Sequence, residues 1–408
     1  MDITCKAGCA TRSKLFFYLG VGILTVKVLF MYSDFFAVPE WADRFFVIFG
    51  VSCLIMKIVF QQYTFLLLVF WVGLGCISCI CAFCSRDYTV LLTMLVICAF
   101  QQISIESFIR EIFKIKCFFL WIHIVLYVIR LWLHPEVLTF NLREGMLRHT
   151  FGMNHANIFS MITTWMILEW TYIHYEKIKI RNLVAIQIMG FIVYGLTFSR
   201  TGLLVLTLAV FLSGIAKCNR NLDRIFIVGG QWSYLILAML SLLIMYFYFD
   251  VTGEIGRMLQ KLNQILTGRL NMWATAYQLY GTSICGQIIS ENGKVSWDEV
   301  YRITQVIVDN TYVYLAVKCG GIFLGIFGGF FFWTAGKGSV KMALMILAFS
   351  VFNSMESFGG SIFLSFPLCF IGYGLYQNIG GKNEDEKNET KESQRIKINY
   401  RSKYQLCS

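Results

Sequence analysis

Between Arg181 and Lys217 the chain runs for 35 residues, 182–216, with a single charge, Arg200, near the middle. A helix of that length would be about 52 Å long at 1.5 Å per residue, whereas a bilayer's hydrocarbon core is about 30 Å thick. The stretch must therefore fold back on itself, with FSRTG (198–202) as the turn, and Arg200 falls at a membrane–water boundary. Comparable apolar runs lie near 15–32, 45–60, 63–84, 88–102, 117–133, 153–173, 183–199, 201–216, 225–248, 310–333, 341–357 and 359–378. Backbone groups find no water inside hydrocarbon, so these runs span as helices, and the alternation of barrel strands is missing. The expected fold is all-α, a polytopic integral membrane protein of about 12 transmembrane helices over residues 1–380. One long extracytoplasmic loop, 249–309, carries amphipathic helices. The tail 381–408 is polar and mixed in charge, and reads as a disordered cytoplasmic end.

Composition agrees. Hydrophobic residues make up 57% and charged residues 14%, with a mean hydropathy of +0.64, which excludes an ordinary soluble domain. The net charge of +11 would suit nucleic acid, but the basic residues sit in short loops between spans, where they set orientation. With the N-terminus inside, the inner loops and tail hold 21 basic residues and the outer loops ten. Both termini are then cytoplasmic, in a multi-pass protein of the cytoplasmic membrane. The first apolar run has no small-residue cleavage site after it and reads as the first span, not as a signal peptide. Most of the 14 cysteines lie within apolar runs. Cys76, Cys79, Cys81 and Cys84 fit small apolar side chains better than a metal site, and no disulfide framework is implied.

The kind of cation matters more than the count. Eight of the ten outer basic residues are arginine (Arg44, Arg86, Arg143, Arg148, Arg200, Arg257, Arg269 and Arg302), against seven of the 21 inner ones. Orientation needs only charge, whereas a planar guanidinium grips phosphate or carboxylate with two parallel hydrogen bonds. An anionic ligand, with phosphate the best fit, is expected at the outer leaflet. Arg200 alone also suits an arginine that snorkels at a helix end.

Other outer segments converge on the same side. NLREGMLRHTFGMNHANIFS (141–160) packs Arg143, Arg148, His149, Asn154, His155 and Asn157 at the entry to a span. Polar groups at that depth need partners, although a histidine there also serves as a structural donor. Residues 255–280 have apolar positions at helical spacing, giving an amphipathic helix on the outer surface, broken at Thr267–Gly268, with Arg269 beside its apolar stripe. Asp309 and Asn310 open the tenth span, where one of them suits an N-cap. Glu356 lies near the end of the eleventh, where an unpaired carboxylate is costly. No P-loop, zincin motif or outer Asp-x-Asp occurs, so no cofactor and no metal are expected.

In their order along the chain, LRHTFGMNHANIFS, TFSRTGLL, GRLNMWATAYQLYGTSICG, VDNTYVYLAVKCGGI and the late Glu356-Ser357 resemble the bacterial O-antigen polymerase/ligase superfamily. The likeness is nearest to its Wzy-type capsule and exopolysaccharide repeat-unit polymerases. It spans roughly 140–360; where the family often shows His-Pro-Asn this chain has His155-Ala156-Asn157. The resemblance implies a metal-independent glycosyltransferase that joins undecaprenyl-diphosphate-linked oligosaccharide repeat units. Arg200 and Arg269, with Arg148, would stabilise the leaving diphosphate, and His155 or Glu356 would act as base. Arg143, Asn154, Asn157, Asp309 and Asn310 would hold substrate. Implied partners are the lipid-linked oligosaccharide, membrane lipids and the flippase and chain-length regulator of the same pathway, with no nucleic acid.

Two alternatives remain. A glycan ligase would use the same donor chemistry with another acceptor. A flippase or transporter would show broken spans in two repeated halves and charges at mid-membrane. Lys27, Lys57, Arg130 and Lys318, within or near apolar runs, favour that second alternative.

Overall fold

The computed structural model describes residues 2–133, 140–143, 146–289, 295–296, 302–303 and 308–377. Helices dominate. In chain order α1 (Asp2–Met31), α2 (Glu40–Val59), α3 (Phe65–Ser85), α4 (Thr89–Cys98) and α5 (Ile105–Leu133) lead to a hairpin of β1 (Phe140–Arg143) and β2 (Met146–His149). Then come α6 (Ala156–His174), α7 (Ile180–Thr197), α8 (Arg200–Cys218) and α9 (Asp223–Phe247), followed by α10 (Gly253–Ile265) and α11 (Arg269–Tyr280). A two-residue ladder pairs β3 (Val295–Ser296) with β4 (Arg302–Ile303). The last elements are α12 (Thr311–Tyr314), a π-helical turn Leu315–Gly320, α13 (Ile322–Lys337), α14 (Val340–Asn353) and α15 (Cys369–Gln377).

Six stretches among the described residues are long and apolar enough to cross a membrane: Arg12–Met31, Phe65–Ser85, Ile105–Leu133, Ile180–Thr197, Arg200–Cys218 and Arg220–Phe247. Their outward faces keep large aromatic side chains in the open, among them Phe65, Phe83, Trp132 and Phe211, which lipid would cover. Between helices, close approach replaces the hydrophobic drive that lipid removes. A Cβ on Gly20 of α1 would stand 2.9 Å from the Gly50 carbonyl of α2, so this pair meets backbone to backbone.

The 182–216 stretch divides as its length demands. Phe198, at φ +49, ends α7, and Arg200 begins α8. Three other expectations need correction. The run 359–378 is not one helix: 3₁₀ turns at Ser357–Gly360 and Phe366–Leu368 precede the nine-residue α15. Its freed backbone groups are met from neighbours, because Thr93 Oγ1 donates to the Gly360 carbonyl and Lys116 Nζ to the Leu364 carbonyl. Lys116 is consequently no loop cation. It lies within α5, fully buried, 2.5 Å from Glu169 Oε1 of α6. Lastly, residues 253–280 do divide at Thr267 and Gly268, both at positive φ, but α11 packs one face into the protein while Met272, Gln278 and Leu279 stay exposed. Leu270, Trp273 and Ala276 are buried in a core with Met245, Val313 and Val317. The tail 381–408 lies outside the described residues.

Several loops meet at one end of the bundle. The Ser33–Met153 bridge and the Asn154 N–H to Tyr32 carbonyl bond join the end of α1 to the start of α6. Arg148 reaches the end of α7, Tyr314 reaches the α3–α4 turn, and α11 reaches the segment after α14. That end carries the site.

Candidate functional site

Gly268, at φ +86, lets the chain turn into α11, so Arg269 stands as that helix's first residue. Burial of Leu270 and Trp273 fixes the helix, and with it the guanidinium. Arg269 Nη2 lies 3.2 Å from Glu356 Oε1 and 3.7 Å from Asp309 Oδ2. Its other terminal nitrogen, Nη1, is buried with no hydrogen-bond partner among the described residues. An unmet donor of this kind costs about 1–3 kcal/mol, more when charged.

Glu356 follows α14 by three residues and is 6% exposed. Thr311 Oγ1 donates to its backbone carbonyl at 2.6 Å and accepts from the Gly359 N–H at 3.0 Å. A Cβ on Gly359 would fall 2.7 Å from the same Thr311 oxygen, so this approach requires glycine. Burial pushes the Glu356 carboxyl above its ordinary value; the Arg269 charge and the Thr201 hydroxyl oppose this, and the nearby Asp309 reinforces it. Two carboxylates therefore share one guanidinium, whose Nη1, with two N–H donors, is left without a partner among the described residues.

Arg200 is exposed at the start of α8 and makes no hydrogen bond or ion pair among the described residues. Its chain neighbour Thr201 is buried and acts on the Glu356 carboxyl, which brings the first turn of α8 against the cluster. Arg269, Glu356 and Asp309 are thus brought together, and Arg200 stands one residue before Thr201 on the exposed side of that turn.

The other expected residues form separate groups. Arg148 is buried; its Nε donates to the Thr197 carbonyl at 2.7 Å and its Nη2 to Asn157 Oδ1. His155 caps α6, its Nδ1 accepting the Asn157 N–H at 3.1 Å. Together they tie the β1–β2 hairpin to α6 and α7. Asn154 donates to the Met31 carbonyl at 3.2 Å. Asn310 is buried as the α12 N-cap: its Oδ1 accepts two backbone N–H groups, and its Nδ2 donates to Ser241 and to the Ser354 carbonyl. Arg143 lies in β1 opposite Met146.

The charges in or near apolar runs also find places. Lys27 faces Asp43 at 3.4 Å, Lys318 faces Asp87 at 3.7 Å, and Arg130 lies 5.8 Å from the Phe35 ring centre. Lys57, at the other end of the bundle, donates to the Gln101 carbonyl where α4 stops. These are local partners and helix-break caps, and they do not line up as a path. Sequence reasoning passes over a cavity of about 560 Å³ at the site end, whose wall includes Lys27, Arg86, Asp87 and Lys318. The adjacent Arg86-Asp87 between two apolar runs is the available signal.

Fold and site together define the class: an α-helical membrane protein with a buried arginine–carboxylate cluster where its loops converge. Compared with protein-family models, curated proteins and solved structures, the chain matches none.

Proposed function

We propose that the chain is a polysaccharide polymerase that joins undecaprenyl-diphosphate-linked oligosaccharide repeat units at the outer face of the cytoplasmic membrane. In this reading it crosses the membrane twelve times, keeps both termini inside, and turns the Arg269–Glu356 end outward. The observation that carries the reading is the cluster itself: a guanidinium anchored by Glu356 and Asp309, whose buried Nη1 meets no partner among the described residues, with Arg200 at the start of the adjoining helix α8.

The chemistry follows from that division. An acceptor hydroxyl attacks the donor's anomeric carbon, forming the new glycosidic C–O bond. The bond from that carbon to the diphosphate oxygen breaks, and its electron pair leaves with the lipid diphosphate. Arg269 Nη1 and Arg200 meet the developing negative charge. The hydroxyl proton passes to Glu356, whose raised pKa suits a base better than an ordinary carboxylate's would. His155 is the weaker base because its Nδ1 already holds a helix cap. Arg148 and Asn310 act by positioning the hairpin and α12, while Asp309 orients sugar hydroxyls.

Lysine substitution tests this. If the fork grips diphosphate, Arg269→Lys and Arg200→Lys lose most polymer at equal membrane abundance. Arg44, exposed and 3.0 Å from Glu40 in the same helix, serves as control, and Arg44→Lys stays active. Full-length polymer from both Arg200→Lys and Arg269→Lys would remove the reading.

A further inference from the structure

The cavity of about 560 Å³ lies between the end of α1, the α3–α4 turn, the π-helical turn and the segment after Glu356. Its charges do not balance. Among the described residues of its wall Asp87 is the single carboxylate, and it already serves Lys318 at 3.7 Å and the Tyr314 hydroxyl. Burial pulls the Asp87 carboxyl up, but the bonds from Tyr314 and Thr89 and the Lys318 charge hold it below the usual range, so it stays ionised. Lys27 faces Asp43, which is not part of this wall. Arg86 pairs with no acidic group among the described residues. It also occupies φ +53 as the α3 C-cap, a conformation that glycine or asparagine adopts at lower cost, so the backbone does not call for arginine there. With Lys27 paired to Asp43 and Lys318 to Asp87, Arg86 is the cation left without an acidic partner among the described residues of the wall, and it gives that wall its surplus positive charge.

Size and lining narrow the ligand. Small-molecule sites run from about 300 to 1,000 Å³, so this cavity is far too roomy for a lone phosphate. Tyr32, Tyr314 and Phe358 supply ring faces and hydroxyls beside the cations. We infer that the cavity binds an anionic carbohydrate, a sugar chain carrying a carboxylate or phosphate of its own, distinct from the diphosphate assigned to Arg200 and Arg269. The sugar identity rests on the polymerase reading; the demand for negative charge rests on the cavity alone.

Binding to the purified full chain in nanodiscs tests this without turnover, using trigalacturonic acid, glucose 1-phosphate, neutral maltotriose and inorganic pyrophosphate as probes. One of the two anionic sugars should bind saturably, and the one that binds names the anion. Maltotriose should bind at least about tenfold more weakly, the scale of one charge-assisted hydrogen bond. Arg86→Gln and Lys318→Met should each weaken the anionic sugar by about tenfold, whereas Arg269→Gln should not. Arg86 sits at an exposed turn, so Arg86→Gln carries the test if Lys318→Met fails to fold. The inference is overturned if no sugar binds, if maltotriose binds equally, or if Arg86→Gln changes nothing. It is also overturned if pyrophosphate displaces the sugar and loses its own binding in Arg86→Gln, which would give the cavity to the lipid diphosphate. Active Arg200→Lys and Arg269→Lys enzymes would instead remove the polymerase reading and leave the charge requirement standing.

Discussion

Arg148 and Arg200 carry the same side chain at the same end of the molecule, yet their surroundings assign them different work. Arg148 is 3% exposed and spends its donors on the Thr197 carbonyl and Asn157, whereas Arg200 is exposed and unpaired among the described residues. Arg148→Ala would leave the Thr197 carbonyl and the Asn157 oxygen without their charged donor, at about 1.5–3 kcal/mol for each such bond. The expected result is a clearly lowered unfolding temperature in detergent for Arg148→Ala and an unchanged one for Arg200→Ala. An Arg148→Ala protein as stable as wild type would return Arg148 to the ligand. This distinction is not legible in the sequence. LRHT and FSRTG look alike as polar breaks between apolar runs, and burial is decided by a hairpin folding back onto α7, a non-local contact with no local pattern.

At the level of elements, the irregular segment after α14 is held by groups far away in sequence. Lys116 of α5 donates to the Leu364 carbonyl at 3.1 Å while paired with Glu169 of α6. Glu169→Gln would strand a buried ammonium, and breaking such a pair costs about 3–5 kcal/mol. Thermal unfolding should show a large loss for Glu169→Gln and recovery of most of it in the double variant Lys116→Met/Glu169→Met. Wild-type stability for Glu169→Gln would mean that the pair does not hold this segment. Helix ends governed by local chemistry are readable: the break at Thr267–Gly268 and the turn at FSRTG follow from glycine, polar residues and length. The run 359–378 reads by hydropathy as a plain helix, although Gly359, Gly360 and Pro367 stand in its first half. Hydropathy registers burial and is blind to backbone form. The pairing of Arg269 with Glu356 joins residues 87 positions apart, so the sequence supplies both members but not their meeting.

For the molecule as a whole, orientation is the first question, since the proposed chemistry needs the Arg269–Glu356 end outside. In the proposed topology that orientation rests on the bias of 21 inner against ten outer basic residues. Lys116, now inside α5, leaves the inner excess at 20 to ten without changing its sign. In a cysteine-depleted variant, Lys294→Cys should react with an impermeant maleimide on intact cells, and Lys387→Cys should react only after permeabilisation. Labelling of Lys387→Cys on intact cells, with Lys294→Cys silent, would invert the molecule and remove the outer-leaflet site.

The central claim is that repeat units are joined here, and the lipid-linked glycans left behind when the gene is deleted test it most directly. Mass spectrometry of the extracted lipids should find undecaprenyl diphosphate bearing one repeat unit, with high-molecular-weight polysaccharide absent from the cell. Long lipid-linked chains accumulating instead would contradict polymerisation and indicate transfer of a finished polymer, and an unchanged glycan profile would contradict the enzyme altogether.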